Sequence, residues 1–164
     1  MEEKYYEFIL TDSISVNKEQ LFRIRALKNI SFFIKKGNIG GYVGENARVS
    51  GNAWVSGDAQ VYGNAWVSGD AQVYGNAWVS GDARVLKGLI KKTNDYIAIA
   101  CLGSRGATLT AYFDADGFLN YTTGCFSGRE EDFIHKVKET HGDNNFAQLY
   151  MESIKFVKIF FRKQ

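Results

Sequence analysis

A valine recurs every six residues through the middle of the chain, and this period constrains the fold more than any other feature. From Ala47 onward an alanine stands two positions before each valine, and each unit reads Gly-(Asn/Asp)-Ala-x-Val-(Ser/Tyr). Because side chains alternate along a strand, Ala and Val are predicted to face inward and the residue between them outward. The valines are Val43, Val49, Val55, Val61, Val67, Val73, Val79 and Val85.

The glycine of each unit predicts a turn after each short strand, since glycine tolerates positive φ. The pattern resembles the hexapeptide-repeat left-handed β-helix, in which three units complete one triangular coil. The resemblance implies that residues three units apart stack. Low-complexity disorder is the alternative, and the recurring Val, Trp and Tyr disfavour it. The implied columns are Arg48–Trp66–Arg84, Trp54–Gln72 and Tyr42–Gln60–Trp78.

The sequence on either side of the repeats predicts two further segments. A β cap over residues 1–42 is expected to cover the first coil of a β-helix over residues 43–86, because a bare terminal coil exposes backbone donors and apolar side chains. Residues 87–164 predict a small α+β module of a three-stranded meander and two helices. The fold class is thus mainly β.

In the cap, strands at 6–10 and 21–27 and a turn at Asp12-Ser13 are expected. In the module, strands at 95–102, 107–113 and 118–124, a helix from a capping box at Ser127 to about Thr140, and a helix at about 145–161 are expected.

The bulk composition narrows the expected compartment and partners. Two cysteines, Cys101 and Cys125, form no disulfide framework in a chain of this length, although adjacent strands could bring the pair together. The N-terminus is neither a signal peptide nor a transit peptide, and no apolar run is long enough to span a bilayer. A net charge of +2 gives no reason to expect nucleic acid. We expect a cytoplasmic protein without a membrane partner.

Sequence outside the repeats resembles one particular group of hexapeptide-repeat proteins. Residues 21–27 and 35–42 resemble the opening of a family of uncharacterised phage and prophage hexapeptide-repeat proteins. The C-terminal stretch is also similar to a module of that group, through residues 102–105, 124–128, Asp132-Phe133, Val137 and His141-Gly142. The resemblance implies a phage or mobile-element origin, and host-cell cytoplasm as the compartment. It implies no activity.

Few residues of the sequence support a catalytic or metal-dependent function. β-helical acyltransferases use a histidine near the coils as general base, but no histidine precedes His135 and no loop interrupts the repeats. The related carbonic anhydrases need three histidine ligands, and this chain has two. Asn and Asp at the turns are explained by turn chemistry rather than calcium. A dyad of Cys125 with His135 or His141 lacks an acidic partner. We therefore expect no enzyme, no cofactor and no metal.

Large aromatic side chains recur at the outward positions of the repeats. Repeated surface aromatics on a small solenoid indicate contact with another molecule. Burial in a homo-oligomer, with a trimer favoured, is the first interpretation, and a surface on which a ligand stacks is the second. The residues are Trp54, Trp66 and Trp78, with Tyr62 and Tyr74 near the corners.

The C-terminal module contains the one constellation that resembles a binding site. Strands one and three of a meander end at the same edge, so the turn at 103–106 is expected beside residues 125–128. A glycine-rich turn and a helix N-terminus both favour anions, and Arg105 offers a fork for phosphate or carboxylate. The alternative is a plain turn, a helix cap and a buried thiol. The candidate ligand-binding residues are Gly103, Ser104, Arg105, Gly106, Cys125, Phe126, Ser127 and Gly128.

Two functions follow from these features. The first is a non-enzymatic, oligomeric, phage-type binding protein for a small anionic or nucleotide-like ligand, for instance one that sequesters a nucleotide signal of host immunity. A host protein is its other candidate partner. The second is a structural or interaction protein that docks on a host or phage macromolecule through its aromatic faces.

Overall fold

The structure is a computed structural model, and it describes residues 5–162. Within that range the fold is mainly β. The strands are β1 (Tyr6–Val16), β2 (Glu19–Ala26), β3 (Ile39–Gly44), β4 (Arg48–Val49), β5 (Trp54–Val55), β6 (Gln60–Val61), β7 (Trp66–Val67), β8 (Gln72–Val73), β9 (Trp78–Val79), β10 (Arg84–Val85), β11 (Leu89–Ile90), β12 (Tyr96–Leu102), β13 (Ala107–Phe113), β14 (Leu119–Thr123) and β15 (Phe126–Arg129). The helices are a 3-10 turn (Thr93–Asp95), α1 (Glu130–His141) and α2 (Asn145–Arg162).

The repeats stack in parallel, one coil on the next. Strands β3, β6 and β9 lie side by side, as do β4, β7 and β10, and β5, β8 and β11. The pairing joins Arg48 to Trp66 and Trp66 to Arg84, which confirms the predicted column. The columns Trp54–Gln72 and Tyr42–Gln60–Trp78 are confirmed in the same way.

The interior of the coils is filled by the small and branched residues of the repeat. Every repeat valine from Val43 to Val85 and every repeat alanine from Ala47 to Ala83 is buried. The glycines that begin the units have φ between +62° and +68°, a conformation that residues with a Cβ rarely adopt. The repeat therefore specifies both the short strands and the corners between them.

The N-terminal segment joins the coils by antiparallel pairing. Strand β1 pairs with β2 and β2 with β3, so the hairpin extends the sheet of β3, β6 and β9. The predicted turn at Asp12-Ser13 is wrong. Strand β1 continues through these residues with a shift in its register against β2. The chain reverses at Asn17-Lys18, where both residues have positive φ. Arg23 then donates to Asp12, to Tyr42 and to backbone carbonyls, which links the hairpin to the first coil.

The C-terminal module contains a four-stranded antiparallel sheet in the order β12-β13-β14-β15, with α1 and α2 packed on one face. The predicted meander of three strands is therefore one strand short. Thr123 pairs with Phe126 across the two-residue loop Gly124-Cys125, and Gly124 has a φ of +54°. A tight hairpin loop with glycine first returns the chain along β14 and adds β15 before the helix begins.

The other face of this sheet closes the end of the coils. In the preceding coil the amides of Gln60, Tyr62, Trp66 and Ser68 donate to carbonyls of the next coil. The last coil has no successor on these two faces. Side-chain oxygens accept its amides instead, namely Thr93 for Trp78, Tyr96 for Ser80, Thr110 for Arg84 and Tyr112 for Leu86.

Candidate functional site

A groove opens at the far edge of the C-terminal sheet, between the turn at 103–106, the Gly124-Cys125 loop and helix α1. It has a volume of about 180 Å³ and is lined by both polar and apolar side chains. Arg84, from the last coil, donates to the carbonyl of Gly124 at 2.7 Å and has its guanidinium 5.4 Å from the Trp66 ring centroid. The coils therefore help to position one wall of the groove.

The structure brings together half of the predicted ligand-binding residues. Ser104 and Arg105 line the groove on one side, and Cys125 and Phe126 line it next to them. The expectation that the two segments meet at one edge is thus met. The remaining four candidates, Gly103, Gly106, Ser127 and Gly128, do not line the groove.

Two of these four differ from the prediction for a clear structural reason. Ser127 and Gly128 lie in strand β15, paired with Thr122 and Tyr121, and α1 begins at Glu130. Arg129 occupies the N-cap position and forms no side-chain cap bond. The spacing of a capping box is also compatible with an extended strand, and sheet pairing determines the outcome here. The predicted helix N-terminus at Ser127 is therefore wrong, and no helix dipole acts where it was expected.

Gly103 has a packing role rather than a lining role. A Cβ at this position would lie 2.0 Å from the Tyr150 hydroxyl oxygen, so the turn approaches α2 as closely as only glycine allows. Tyr150 itself lines the groove. The turn, the groove and α2 are thus in direct contact.

One face of α1 supplies most of the residues that the sequence analysis missed. Phe133, Lys136, Val137, Thr140 and His141 all line the groove. Their spacing of three, four, seven and eight residues from Phe133 places them on a single helix face. The same spacing is visible in the sequence once the helix is placed, so this face was the available signal.

The floor of the groove is aromatic and its rim is basic. The Phe133 ring centroid lies 5.2 Å from that of Phe126 and 5.5 Å from that of Tyr150, and His141 stacks on Tyr150 at 5.8 Å. Lys136 donates to Glu139 at 2.7 Å, and this bond raises the pKa of Lys136 and lowers the pKa of Glu139. Arg105 forms no ion pair within residues 5–162.

One polar atom of the groove is unpaired. The Thr123 hydroxyl oxygen is buried and has no hydrogen-bond partner among the described residues. Buried hydroxyl groups nearly always have a partner, because leaving one unpaired costs about 1–3 kcal/mol. Thr123 lines the groove with other atoms, and its hydroxyl oxygen is buried behind the groove surface.

Both cysteines are free thiols on the surface, so neither the disulfide nor the buried core thiol describes this fold. Cys125 and His141 line the same groove, yet no hydrogen bond joins them in the described part of the chain. Within residues 5–162 no three His, Cys, Asp or Glu side chains are placed to hold a metal ion. The turn residues pair with each other instead, as in Asn52 with Asp70 and Asn64 with Asp82.

The predicted aromatic surface is only partly present. Trp54 is 1% exposed, because the N-terminal segment lies over it, so its assignment to an outward contact face is wrong. Gly40 makes this possible, since a Cβ there would lie 2.8 Å from the Trp54 ring. Trp66, Tyr62 and Tyr74 are half-buried, and Trp78 is 45% exposed.

Comparison with known families agrees with the coils. The family described as YdcK beta solenoid repeat matches residues 59–73 and 71–87. Together with the parallel stacking, the match defines the class as a β-solenoid repeat protein. The comparisons with curated proteins and with solved structures give no match. No helix in residues 5–162 is long and apolar enough to cross a membrane.

Proposed function

We propose that this β-solenoid protein binds a small anionic ligand in the groove between Arg105 and helix α1, and that it acts without catalysis, cofactor or metal. The observation that carries the proposal is the convergence of basic side chains from two elements on one aromatic floor. Arg105 comes from the turn, and Lys136, which is paired with Glu139, and His141 come from α1. A guanidinium free of carboxylate partners is available for a phosphate or carboxylate.

The size of the groove limits the ligand. Pockets for drug-sized molecules have volumes of roughly 300–1,000 Å³, whereas this groove has about 180 Å³. A phosphate or carboxylate with a small planar group fits this space, and the planar group would lie against Phe126 and Tyr150. A whole nucleotide would place only its phosphate or its base inside, with the rest outside or against a neighbouring subunit.

The finer features of the proposal rest on the resemblance described above. The solenoid would be a left-handed β-helix of hexapeptide repeats, capped by residues 1–42, and would assemble as a homotrimer. The protein would belong to the phage-type family and act in the host-cell cytoplasm. The nucleotide version is a counter-defence protein that sequesters a signal of host immunity. Native mass spectrometry tests assembly and retained ligand together.

The groove is tested by binding measurements with defined probes. Inorganic phosphate and adenosine monophosphate are titrated into the protein while amide chemical shifts are recorded. Loss of the charged partner in Arg105→Ala is expected to weaken binding roughly tenfold or more, since such a hydrogen bond contributes about 1.5–3 kcal/mol. Lys138→Ala is the matched control, because Lys138 is an exposed residue of α1 outside the groove. Equal binding by both variants would remove the site assignment.

The unpaired hydroxyl gives a second control variant, at the wall of the groove. Thr123→Val removes a buried polar atom that has no partner in the described structure, so the free protein is expected to be as stable or more stable. Binding is expected to stay unchanged, because the hydroxyl oxygen is buried and a ligand in the groove does not reach it. A loss of affinity in this variant would contradict this placement of the ligand.

A second function is favoured by the exposure of Trp78. An interaction protein without a small ligand would dock on a macromolecule through Trp66 and Trp78. Trp66→Ala or Trp78→Ala would then reduce capture of that partner while the homo-oligomer remains, and Arg105→Ala would have no effect. Unchanged capture in the tryptophan variants would exclude this function.

A further inference from the structure

The loop between β2 and β3 carries the most exposed apolar side chains of the described chain. We call residues 27–38 the Phe loop. Phe32 is 82% exposed and its neighbour Phe33 is 83% exposed. Their ring centroids lie 5.3 Å apart at an angle of 88°, so the two rings meet edge to face. Two adjacent phenylalanines in water are unfavourable unless another surface covers them.

The loop is ordered by its own hydrogen bonds, so this exposure is built into the fold. The Ile30 amide donates to the Ile34 carbonyl at 2.9 Å, and the Ser31 hydroxyl accepts the amides of Phe33 and Ile34. Ile30 is buried and Ile34 packs against the solenoid core. The two isoleucines anchor the loop, and the two phenylalanines between them project outward.

A second set of bonds closes the base of the loop. The side-chain oxygen of Asn29 accepts the Lys36 amide at 3.0 Å, and that of Asn38 accepts the Lys35 amide at 2.7 Å. The Ala26 amide donates to the Asn38 carbonyl at 2.9 Å. These bonds fix the backbone of Lys35 and Lys36 in the same loop as the exposed rings.

The charged side chains of the loop itself are all of one sign. Residues 27–38 contain three lysines and no Asp or Glu. The Lys35 ammonium lies 5.2 Å from the Phe32 ring centroid, and neither Lys35 nor Lys36 forms an ion pair within residues 5–162. Apolar rings flanked by lysines match the interface of an anionic bilayer, where rings enter the acyl boundary and ammonium groups meet the headgroups.

We propose that the Phe loop docks this protein on an anionic lipid surface. Phe32 and Phe33 enter the interface, and Lys35 and Lys36 contact the headgroups. The attachment is peripheral and reversible, because two rings and two charges are far fewer than a spanning segment provides. The expectation of no membrane partner rested on the lack of a spanning segment, and peripheral docking needs none.

The test is sedimentation of the full chain with phosphatidylcholine vesicles, with and without phosphatidylserine. The wild type is expected to sediment with the phosphatidylserine vesicles, and less so as salt increases. The double variant F32S/F33S is expected to lose at least roughly tenfold in binding, since each ring contributes buried apolar area. K35E/K36E is expected to lose roughly tenfold or more with phosphatidylserine vesicles, because each basic residue near an anionic surface contributes about a fivefold factor.

Phe156→Ser is the matched control, because Phe156 is 53% exposed on α2, away from the Phe loop in sequence. It is expected to bind vesicles like the wild type. Thermal unfolding of all variants checks that the exposed substitutions leave the fold intact. The proposal is overturned if the wild type does not bind phosphatidylserine vesicles at low salt, or if F32S/F33S binds them as tightly as the wild type does. It is also overturned if F32S/F33S dissociates a homo-oligomer and the wild type binds no lipid, since a second copy would then cover the rings.

Discussion

The coils and the segments that close them use different means to satisfy the same backbone. Inside the solenoid, backbone amides of one coil donate to backbone carbonyls of the next, and each six-residue unit repeats this arrangement. At the far end, hydroxyls of Thr93, Tyr96, Thr110 and Tyr112 accept the corresponding amides. A repeat can therefore specify its interior through periodicity alone. Its far end requires individual side chains, and equivalent repeat positions therefore differ in their surroundings.

The largest difference in stability is expected between two tryptophans at the same repeat position. Trp54 is covered by the N-terminal segment, whereas Trp78 is 45% exposed. Trp54→Ala is expected to lower the free energy of unfolding by about 3–5 kcal/mol, as for a fully buried large side chain. Trp78→Ala is expected to cost no more than roughly 1 kcal/mol. Urea denaturation followed by far-UV circular dichroism measures both. Equal costs would mean that the N-terminal segment does not cover Trp54 in solution.

The sequence predicts individual strands and helices along the whole chain, but it predicts their packing only where it repeats. The inward Ala and Val positions and the stacked columns follow from the period of six, and the structure has them in place. The burial of Trp54 could not be predicted in this way, because it depends on Gly40, which lies outside the repeats. The repeat determines the local geometry of the coils. The segments that pack against the coils determine which of the outward side chains are exposed.

The candidate site was predictable to a smaller extent. The meeting of Arg105 with Cys125 follows from strand order in an antiparallel sheet, and both line the groove. Ser127 was placed in a helix because residues 127–130 satisfy a capping pattern, yet pairing with Thr122 puts it in a strand. The helix face that carries Lys136 lay inside the predicted helix, but it was not assigned to the site, because the packing of α1 beside the turn at 103–106 is a tertiary contact. A local pattern with two solutions is decided by tertiary pairing, which the sequence alone does not reveal.

An intermediate effect is expected at two corner glycines of the solenoid. Gly69 and Gly81 both have positive φ, so alanine costs about 1–2 kcal/mol at either position. A Cβ at Gly69 would also lie 2.4 Å from the Leu86 carbonyl oxygen, where the chain leaves the coils, whereas a Cβ at Gly81 meets no heavy atom within 4 Å. Overpacking should add about 1–3 kcal/mol at Gly69 alone. Thermal and urea unfolding of Gly69→Ala and Gly81→Ala measure the difference, and identical losses would show that the corner above Gly69 is open.

The smallest expected effect isolates a single hydroxyl at the closed end. Tyr112 is buried, and its hydroxyl oxygen accepts the Leu86 amide at 3.1 Å and the Thr122 hydroxyl at 3.3 Å. Tyr112→Phe keeps the ring but leaves both donors without their acceptor, which is expected to cost about 1–3 kcal/mol of unfolding free energy. Hydrogen exchange of the Leu86 amide should accelerate in the same variant.

The control is Tyr62→Phe, at a half-buried repeat tyrosine whose hydroxyl forms no hydrogen bond within residues 5–162. It should change the unfolding free energy by no more than about 0.5 kcal/mol. If Tyr112→Phe costs no more than this control, the side-chain hydroxyl does not terminate the coils. Packing of the sheet against the last valines would then be sufficient to close this end of the solenoid.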